Sequence, residues 1–512
     1  MRAQHKPDIL DCIAHLSNDE VPTPPALASR MLDLLPNEVW SNPGLTWLDP
    51  FLKSGVFLRE IAKRLIVGLA EWQPDEAQRI DHIYRNMLRG TSITRLTGEM
   101  ARRTVYCSRD ASGSHAVVRF DTPEGNLPFV PAMHVIKAGR CAVCGGPENL
   151  ERGPDRENHA YSFIHGTYPT KEMAGMKFDV IVGNPPYQLD DGGYGASATP
   201  IYQLFVEQAL ALNPRYVLMI TPSRWFAGGK GLDGFRARML ADGRIRHLVD
   251  YPKLYDAFPG VKIRGGVSYF LWDRGHRGPA TVQTMWDGKP VGPAVTRAMD
   301  RFDVFVRRNE AVPILEKVLA RKETVLSDRV SSMKPFGLRT FFHGAETATG
   351  LKDPVKLYGS QRITWLERVD VPQNQSWIDE WKVLVSRTQG TSAAIERHFL
   401  AKPIVAGPGE ACTETYVVAG RFDSEEQAGR YATYLRTRFV RFLVSLRKST
   451  QDSAKGVYAF VPDLPTDRGW TDEALYQRYG LTDTEVTFIH SQVSRHTDEV
   501  DPEEDYDPGD DK

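Results

Sequence analysis

Cysteine is scarce in this chain, at five in 512 residues. That excludes a disulfide scaffold and predicts a reducing, cytoplasmic compartment. No apolar run is long enough to cross a bilayer. Residues 1–16, MRAQHKPDILDCIAHL, lack the apolar core of a secretory signal. No membrane partner is therefore expected. An internal repeat is also missing, which argues against a solenoid. Neither sign of charge dominates, since the net charge is −1, but the distribution is uneven. Residues 498–512 hold nine acidic residues and one lysine, so the rest of the chain is net positive. The tail has almost no apolar residues and is expected to be disordered. A modestly basic body is compatible with a polyanionic partner without requiring one. What is present, 41% hydrophobic and 25% charged residues, is ordinary globular composition with length for two or three domains.

Residues 1–275 alternate apolar runs with helical periodicity, which predicts a doubly wound, mostly parallel α/β sheet. Strand candidates are 45–48, 179–182, 216–220, 246–250 and 267–272; helix candidates are 56–69 and 201–212. The alternation stops over 105–170, a stretch rich in Gly, Pro, Cys and His that reads as an insertion. Residues 276–300 are punctuated by Gly and Pro and read as a connection. Residues 301–497 are mixed α+β, with more aromatic and basic residues.

The most informative segment is Phe-Asp-Val-Ile-Val-Gly-Asn-Pro-Pro-Tyr-Gln at 178–188. Its apolar run fits a buried parallel strand. Asn184-Pro185-Pro186-Tyr187 cannot continue as helix, because two prolines remove two N–H donors and fix two φ angles. An amide, a carbonyl and an aromatic ring are thus held at the C-terminal end of a strand, where open α/β sheets bind ligands.

Five further features stand out. Asp49-Pro50-Phe51-Leu52-Lys53-Ser54-Gly55 reads as a strand, a small-residue turn and a helix start. Such a turn brings backbone close to a ligand, and a nucleoside or an amino-acid moiety would suit it. Cys141-x-x-Cys144 with His159 and His165 fits a two-Cys, two-His zinc template, and Cys107 or His134 can substitute for either histidine. The alternative is two unrelated thiols and two surface imidazoles. Residues 425–448 read as a helix-like stretch with a stripe at Ala428, Ala432, Leu435, Phe439, Phe442 and Leu446. Arg436, Arg438, Arg441, Arg447 and Lys448 lie off that stripe, as phosphate contacts or as solvated surface. Trp225 and Phe226 follow a strand, either lining a ligand pocket or filling core. The polar residues 388–392 are a candidate for contacting a polar ligand.

Together these motifs resemble the S-adenosylmethionine-dependent amino-methyltransferases, specifically DNA adenine-N6 methyltransferases of the γ order. The likeness covers about residues 18–275, with a looser one to type IIG restriction–modification methylases beyond. Val21-Pro22-Thr23-Pro24-Pro25 resembles the first cofactor segment, residues 49–58 the Asp-Pro-x-x-Gly-Ser-Gly-x-Phe-Leu segment, and 178–187 the catalytic motif. The resemblance implies a Rossmann-like methyltransferase sheet and a C-terminal target-recognition domain. It implies cofactor contacts at Thr23, Pro24, Asp49, Pro50, Ser54, Gly55, Phe57 and Asn184, catalysis at Asn184, Pro185, Pro186 and Tyr187, and base contacts at Tyr187, Trp225 and Phe226. Double-stranded DNA is the implied partner, and the methylase either partners a separate restriction endonuclease or acts alone, in the cytoplasm and nucleoid. Two departures are visible. Lys53 replaces the usual first loop glycine, and 90–94 supply no acid for the cofactor ribose, Glu99 being a poor substitute.

The chemistry suits the cassette. Adenine's exocyclic amine is a weak nucleophile because its lone pair is delocalised into the ring. Acceptors at the Asn184 side chain and the Pro185 carbonyl favour a pyramidal nitrogen and stabilise its developing charge. A base inside a duplex cannot reach the loop, so it must flip out. Three rivals stay open: protein glutamine methylation, cytosine-N4 methylation, and a non-catalytic DNA-binding protein with a degenerate methylase fold. A fused nuclease is not expected, since about 20 residues precede the first cofactor-like segment and no acid-acid-lysine pattern stands out later.

Overall fold

In a computed structural model, the described residues are 21–148, 160–173, 175–189, 199–229, 231–253, 255–261, 263, 265–388, 399–448 and 453–494. The chain divides into two compact units at Phe305/Val306.

The first unit is built on eight strands: β1 (Trp47–Leu52), β2 (Leu88–Ser92), β5 (Val180–Gly183), β6 (Tyr216–Pro222), β7 (Ile245–Tyr251), β8 (Val267–Asp273), β9 (Ala280–Trp286) and β10 (Lys289–Arg297). The remaining pair, β3 (Ile136–Lys137) and β4 (Arg140–Cys141), forms a small hairpin in the insertion. The sheet order is β10-β9-β7-β8-β6-β5-β1-β2, with β8 and β10 antiparallel to their neighbours and the rest parallel. From β1 the chain first moves outward to β2, then returns to place β5 on the other side of β1. The order therefore reverses between β1 and β5, and a crevice opens there at the strands' C-terminal ends.

Both sheet faces are buried, as the unbroken apolar runs require. One face carries Trp47, Val180, Val182, Leu218 and Ile220, packed with helices α1 (Pro25–Leu32), α2 (Val56–Gly68) and α4 (Arg95–Tyr106). The other carries Leu48, Ile181, Val217 and Met219, packed with α5 (Tyr202–Ala211) and α6 (Asp233–Ala241). The short α3 (Glu76–His82) lies between α2 and β2 in the chain.

Two boundaries differ from expectation. β1 runs through Asp49-Pro50 to Leu52 rather than stopping before them. Pro50 is tolerated because the register to β2 is irregular between Asp49 and Leu52. Residues 276–300 are not a plain connection: β9 and β10 extend the main sheet. Their turn is Asp287-Gly288, both at positive φ (50° and 70°), as a tight hairpin turn demands. β10 is almost wholly exposed and carries Pro290 and Pro293, which suit an edge strand.

The second unit is mixed α+β, as expected. Its sheets are β12 (Arg362–Glu367), β11 (Pro354–Gly359) and β15 (Glu410–Cys412), and β14 (Ile404–Ala406), β13 (Trp381–Ser386) and β16 (Tyr416–Phe422). Its helices are α7 (Ala311–Leu319), α8 (Glu425–Arg436), α9 (Arg438–Ser445), α10 (Asp472–Arg478) and α11 (Asp483–Gln492). Among the described residues no helix is long and apolar enough to cross a membrane. The acidic tail lies outside the described residues.

Candidate active site at the strand-order reversal

The crevice between β1 and β5 gathers the sequence motifs that lie far apart in the chain. Gly183 ends β5 at φ 149°, where side chains are disfavoured. A Cβ there would lie 2.4 Å from Phe51 Cε2 and 2.8 Å from Asp49 Oδ1. Only glycine lets the catalytic-like loop leave the sheet directly beside the Asp49 carboxyl.

Asn184 follows, 4% exposed. Its Nδ2 donates to the Val21 carbonyl at 3.4 Å, while its Oδ1 is buried with no hydrogen-bond partner among the described residues. A buried acceptor left unpaired costs about 1–3 kcal/mol. Pro185 and Pro186 are buried. Tyr187 is half-buried, with its hydroxyl out of solvent and without a partner among the described residues. Burial, with neighbouring Tyr202 adding, pushes that hydroxyl far above its ordinary pKa, so it stays neutral. The chain then turns back, with Ile201 N–H donating to Tyr187 O and Leu189 N–H to Thr199 O.

Asp49 is 3% exposed and accepts the Phe51 N–H at 3.2 Å. Burial raises its pKa to about 7, against the opposing pull of that N–H and of the Lys53 charge. Lys53, where the motif usually has glycine, does not adopt a left-handed conformation, so a side chain is sterically allowed. It is buried, donating to the Val21 carbonyl at 3.3 Å with its ammonium 5.8 Å from the Tyr187 ring centroid. The glycine that the turn does need is Gly55, at φ 74°. A Cβ there would meet Ala101 Cα and carbonyl oxygen at 3.0 Å. Thr23 and Ser54 are buried beside these elements, whereas Phe57 lies in the core under α2. β2 ends on Ser92, whose buried hydroxyl is unpaired, and no acid follows it; Glu99 is exposed on α4. Sequence reading did not foresee that Val21's carbonyl joins Lys53 and Asn184.

These residues fit an S-adenosylmethionine site on their own terms. An unpaired buried amide oxygen, a buried carboxyl near its titration midpoint and two glycine-only close approaches surround one reversal crevice.

The sequence pattern of the Eco57I restriction-modification methylase family matches residues 86–258, from before β2 through β7. A Mycoplasma pneumoniae chain described as an uncharacterized adenine-specific methylase is 35% identical over 347 residues, covering 62% of this chain and 81% of that one. The chain belongs to the adenine-specific methylases of restriction–modification type.

Solved structures show weaker likeness. The type IIL restriction-modification enzyme MmeI in complex with DNA aligns at TM-score 0.46 and 11% identity, over 85% of this chain and 64% of MmeI. The DrdV–DNA complex gives 0.48 and 11%, over 93% and 57%. This methylase spans less than two thirds of either structure's length. Membership of a methylase family implies use of S-adenosylmethionine.

Other candidate residues of this methylase fall elsewhere. Trp225 and Phe226 are fully buried in a one-turn helix, Ser223–Phe226. Trp225 packs on Phe226 and Phe235, and Phe226 on Phe305, so both are placed as core. The 425–448 stretch is not one helix. Thr437 ends α8 and caps α9, its hydroxyl accepting the Val440 N–H. Arg441 is 1% exposed, its guanidinium donating to the carbonyls of Arg436, Thr437 and Ser494. It is therefore a structural cation that ties off helix-junction carbonyls, not a phosphate contact. Burial lowers its pKa to about 10, which leaves it charged. Arg447 donates to Gly456 O and lies over the Phe460 ring; Lys448 donates to Phe399 O. Arg436 and Arg438 are half-buried. Residues 389–392 lie outside the described residues.

In the insertion, Cys141 and Cys144 are buried and meet His134 and His165. His159 lies outside the described residues, and Cys107 is exposed at the end of α4. Burial pushes the Cys141 thiol up. The N–H groups of Cys144 and Val143, with His134 and His165, outweigh this and bring it down to about 5.

Proposed function

We propose that this methylase transfers a methyl group from S-adenosylmethionine to N6 of an adenine flipped out of duplex DNA, within a restriction–modification system. The observation that carries the reading is the unpaired, buried Asn184 Oδ1 at the crevice where the strand order reverses. Such an acceptor is held ready for a donor that none of the described residues supplies. The adenine NH₂ is that donor in this reading, shared with the Pro185 carbonyl. Withdrawing proton density from the amine raises the nitrogen's nucleophilicity and stabilises its positive charge during attack.

Pro185 and Pro186 hold the two acceptors in fixed directions, so that little reorganisation is needed when the base arrives. Tyr187 offers a ring for the flipped base. Lys53 stands over one face of that ring, so the opposite face is the one assigned to adenine. Asp49, Ser54, Gly55, Thr23 and Pro24 would hold the cofactor. When bound, the cofactor supplies the electrophilic methyl and the leaving group. Asp49 provides negative charge toward this cationic ligand when it is ionised. Ser92 stands where an acid would hold the ribose, so that contact is neutral in this chain.

The test is label transfer from tritiated S-adenosylmethionine to DNA, followed by nucleoside digestion. Label in N6-methyladenosine is expected. Label in N4-methylcytosine, or in protein alone, would sink the reading in favour of cytosine or glutamine methylation. DNA binding with no label anywhere would leave a degenerate methylase fold. Single-molecule sequencing of host DNA with and without the gene then gives the site and the strands modified. Within that reading the methylase either partners a separate endonuclease or acts alone, and co-purification distinguishes the two.

A further inference from the structure

The insertion gathers four side chains that no part of the methylation reading uses. Their ligand atoms, from His134, Cys141, Cys144 and His165, all lie within 4.8 Å of one another. Cys141 Sγ is 3.4 Å from His165 Nε2, and Cys144 Sγ is 3.4 Å from His134 Nδ1. Zinc–sulfur bonds of about 2.3 Å and zinc–nitrogen bonds of about 2.0 Å give a tetrahedron with edges of roughly 3.3–3.8 Å. The two sulfur–nitrogen spacings already fall in that range.

The surroundings are built for the same purpose. His165 Nδ1 pairs with the Tyr161 carbonyl at 2.9 Å. That bond fixes the tautomer and turns Nε2 toward the sulfur, the usual support of a metal-bound imidazole. His134 Nε2 is buried with no hydrogen-bond partner among the described residues, so this support is seen at His165 alone. The β3–β4 hairpin turns at Ala138-Gly139, both at positive φ, and delivers Cys141 at its end. The Val143 N–H reaches back to Cys141 Sγ at 3.5 Å. Neither cysteine forms a disulfide.

The geometry points to a structural zinc site of His134, Cys141, Cys144 and His165 that staples the insertion to the catalytic core. Two thiolates and two imidazoles select zinc over oxygen-seeking Mg²⁺ or Ca²⁺. Four protein ligands close the coordination sphere, leaving no position for a reacting water. The staple has a target. The segment that carries His165 also carries Tyr161 and Phe163, both buried. Phe163 meets Phe51 edge-on at 6.1 Å and stacks with Phe205 at 6.5 Å; Tyr161 meets Phe205 at 5.5 Å. Phe51 is the ring that a Cβ on Gly183 would strike. The metal thus fixes the aromatic layer against which the Asp49 strand and the loop at Asn184 are seated. Its ligands position that layer and touch no substrate. This last step rests on the methylation reading; metal binding does not.

The experiment uses the untagged full chain, purified under reducing conditions. Elemental analysis should give about one zinc per chain. Co²⁺ replacement should give the visible bands of a tetrahedral thiolate site. His134→Ala, Cys141→Ser, Cys144→Ser and His165→Ala should each lose the metal, while His159→Ala keeps it. In case a variant fails to fold, wild-type chain stripped by a chelator provides a second route. It should melt lower and bind tritiated S-adenosylmethionine more weakly, both reversed by Zn²⁺ and not by Mg²⁺. No zinc in the wild-type chain, a native Cys141–Cys144 disulfide, or metal loss in His159→Ala would overturn the assignment. Zinc present with no methylation of DNA would leave the site intact and refute the function instead.

Discussion

Asn184 in the crevice of the first unit and Arg441 at the helix junction of the second are both buried polar side chains, but they are paired differently. At the crevice, Asn184 Oδ1 and the Tyr187 and Ser92 hydroxyls are buried and have no partner among the described residues. At the junction, the buried Arg441 guanidinium is shared among three main-chain carbonyls, and Thr437 caps one helix while ending another. A polar group that pairs within its own chain adds stability and has little left for a partner. One left unpaired costs folding energy that a ligand can return. Unpaired buried groups also occur among the described residues of the second unit, Arg438 Nε at this junction and the Tyr458 and Tyr476 hydroxyls among them. The contrast is therefore between Arg441 and Asn184, and residue type alone does not reveal it: an arginine in a basic stretch and an asparagine in a loop look equally available in a sequence.

The strongest way to break this comparison is Asn184→Ala. Methyl transfer should fall by roughly 10²–10³-fold or more. The melting temperature should hold or rise, because an unpaired acceptor is removed with the amide. A variant that is both active and less stable would show the amide to be structural. Next in size is Arg441→Ala, which should destabilise the chain by about 2–4 kcal/mol through its abandoned carbonyls. It should leave the salt dependence of DNA affinity unchanged in whatever protein remains folded.

Asp49 gives an effect of intermediate size. With its pKa at about 7, cofactor binding that requires the carboxylate should weaken about tenfold from pH 8 to pH 6. Asp49→Asn should bind weakly at both. The stability effect has the opposite sense. The folded state keeps a proton that the unfolded chain releases near pH 4, so stability falls as pH rises from about 4 to 7 and is level above. Asp49→Asn should flatten that slope, measured by denaturant unfolding across the window. The smallest effect belongs to Arg447→Gln and Lys448→Gln. Each should leave the log–log salt slope of DNA binding unchanged, where a phosphate contact would remove about 0.9.

Much of the first unit was legible because buried parallel strands leave unbroken apolar runs. β5, β6, β7 and β8 fall within a few residues of the predicted spans. The edge hairpin β9–β10 was not, because an exposed strand with two prolines looks like a linker until Asp287-Gly288 is read as a turn. The split between α8 and α9 was hidden because the apolar stripe stays nearly in phase across Thr437. Motif spacing located the asparagine loop but could not choose among His134, His159 and Cys107 as ligands, since that choice depends on where a hairpin folds back. Lys53 looked like a defect of the cofactor turn. Its backbone needs no glycine, and its side chain fills the space between Val21 and Tyr187.

Gly183 has a consequence for reading variation in this protein. It contributes no atom to chemistry, yet any added methyl would land on Phe51 and the Asp49 carboxyl. A mutational scan scored on methylation would rank it alongside Asn184 as indispensable. Scored on protein abundance, the two positions would separate, with Gly183 depleted and Asn184 tolerant.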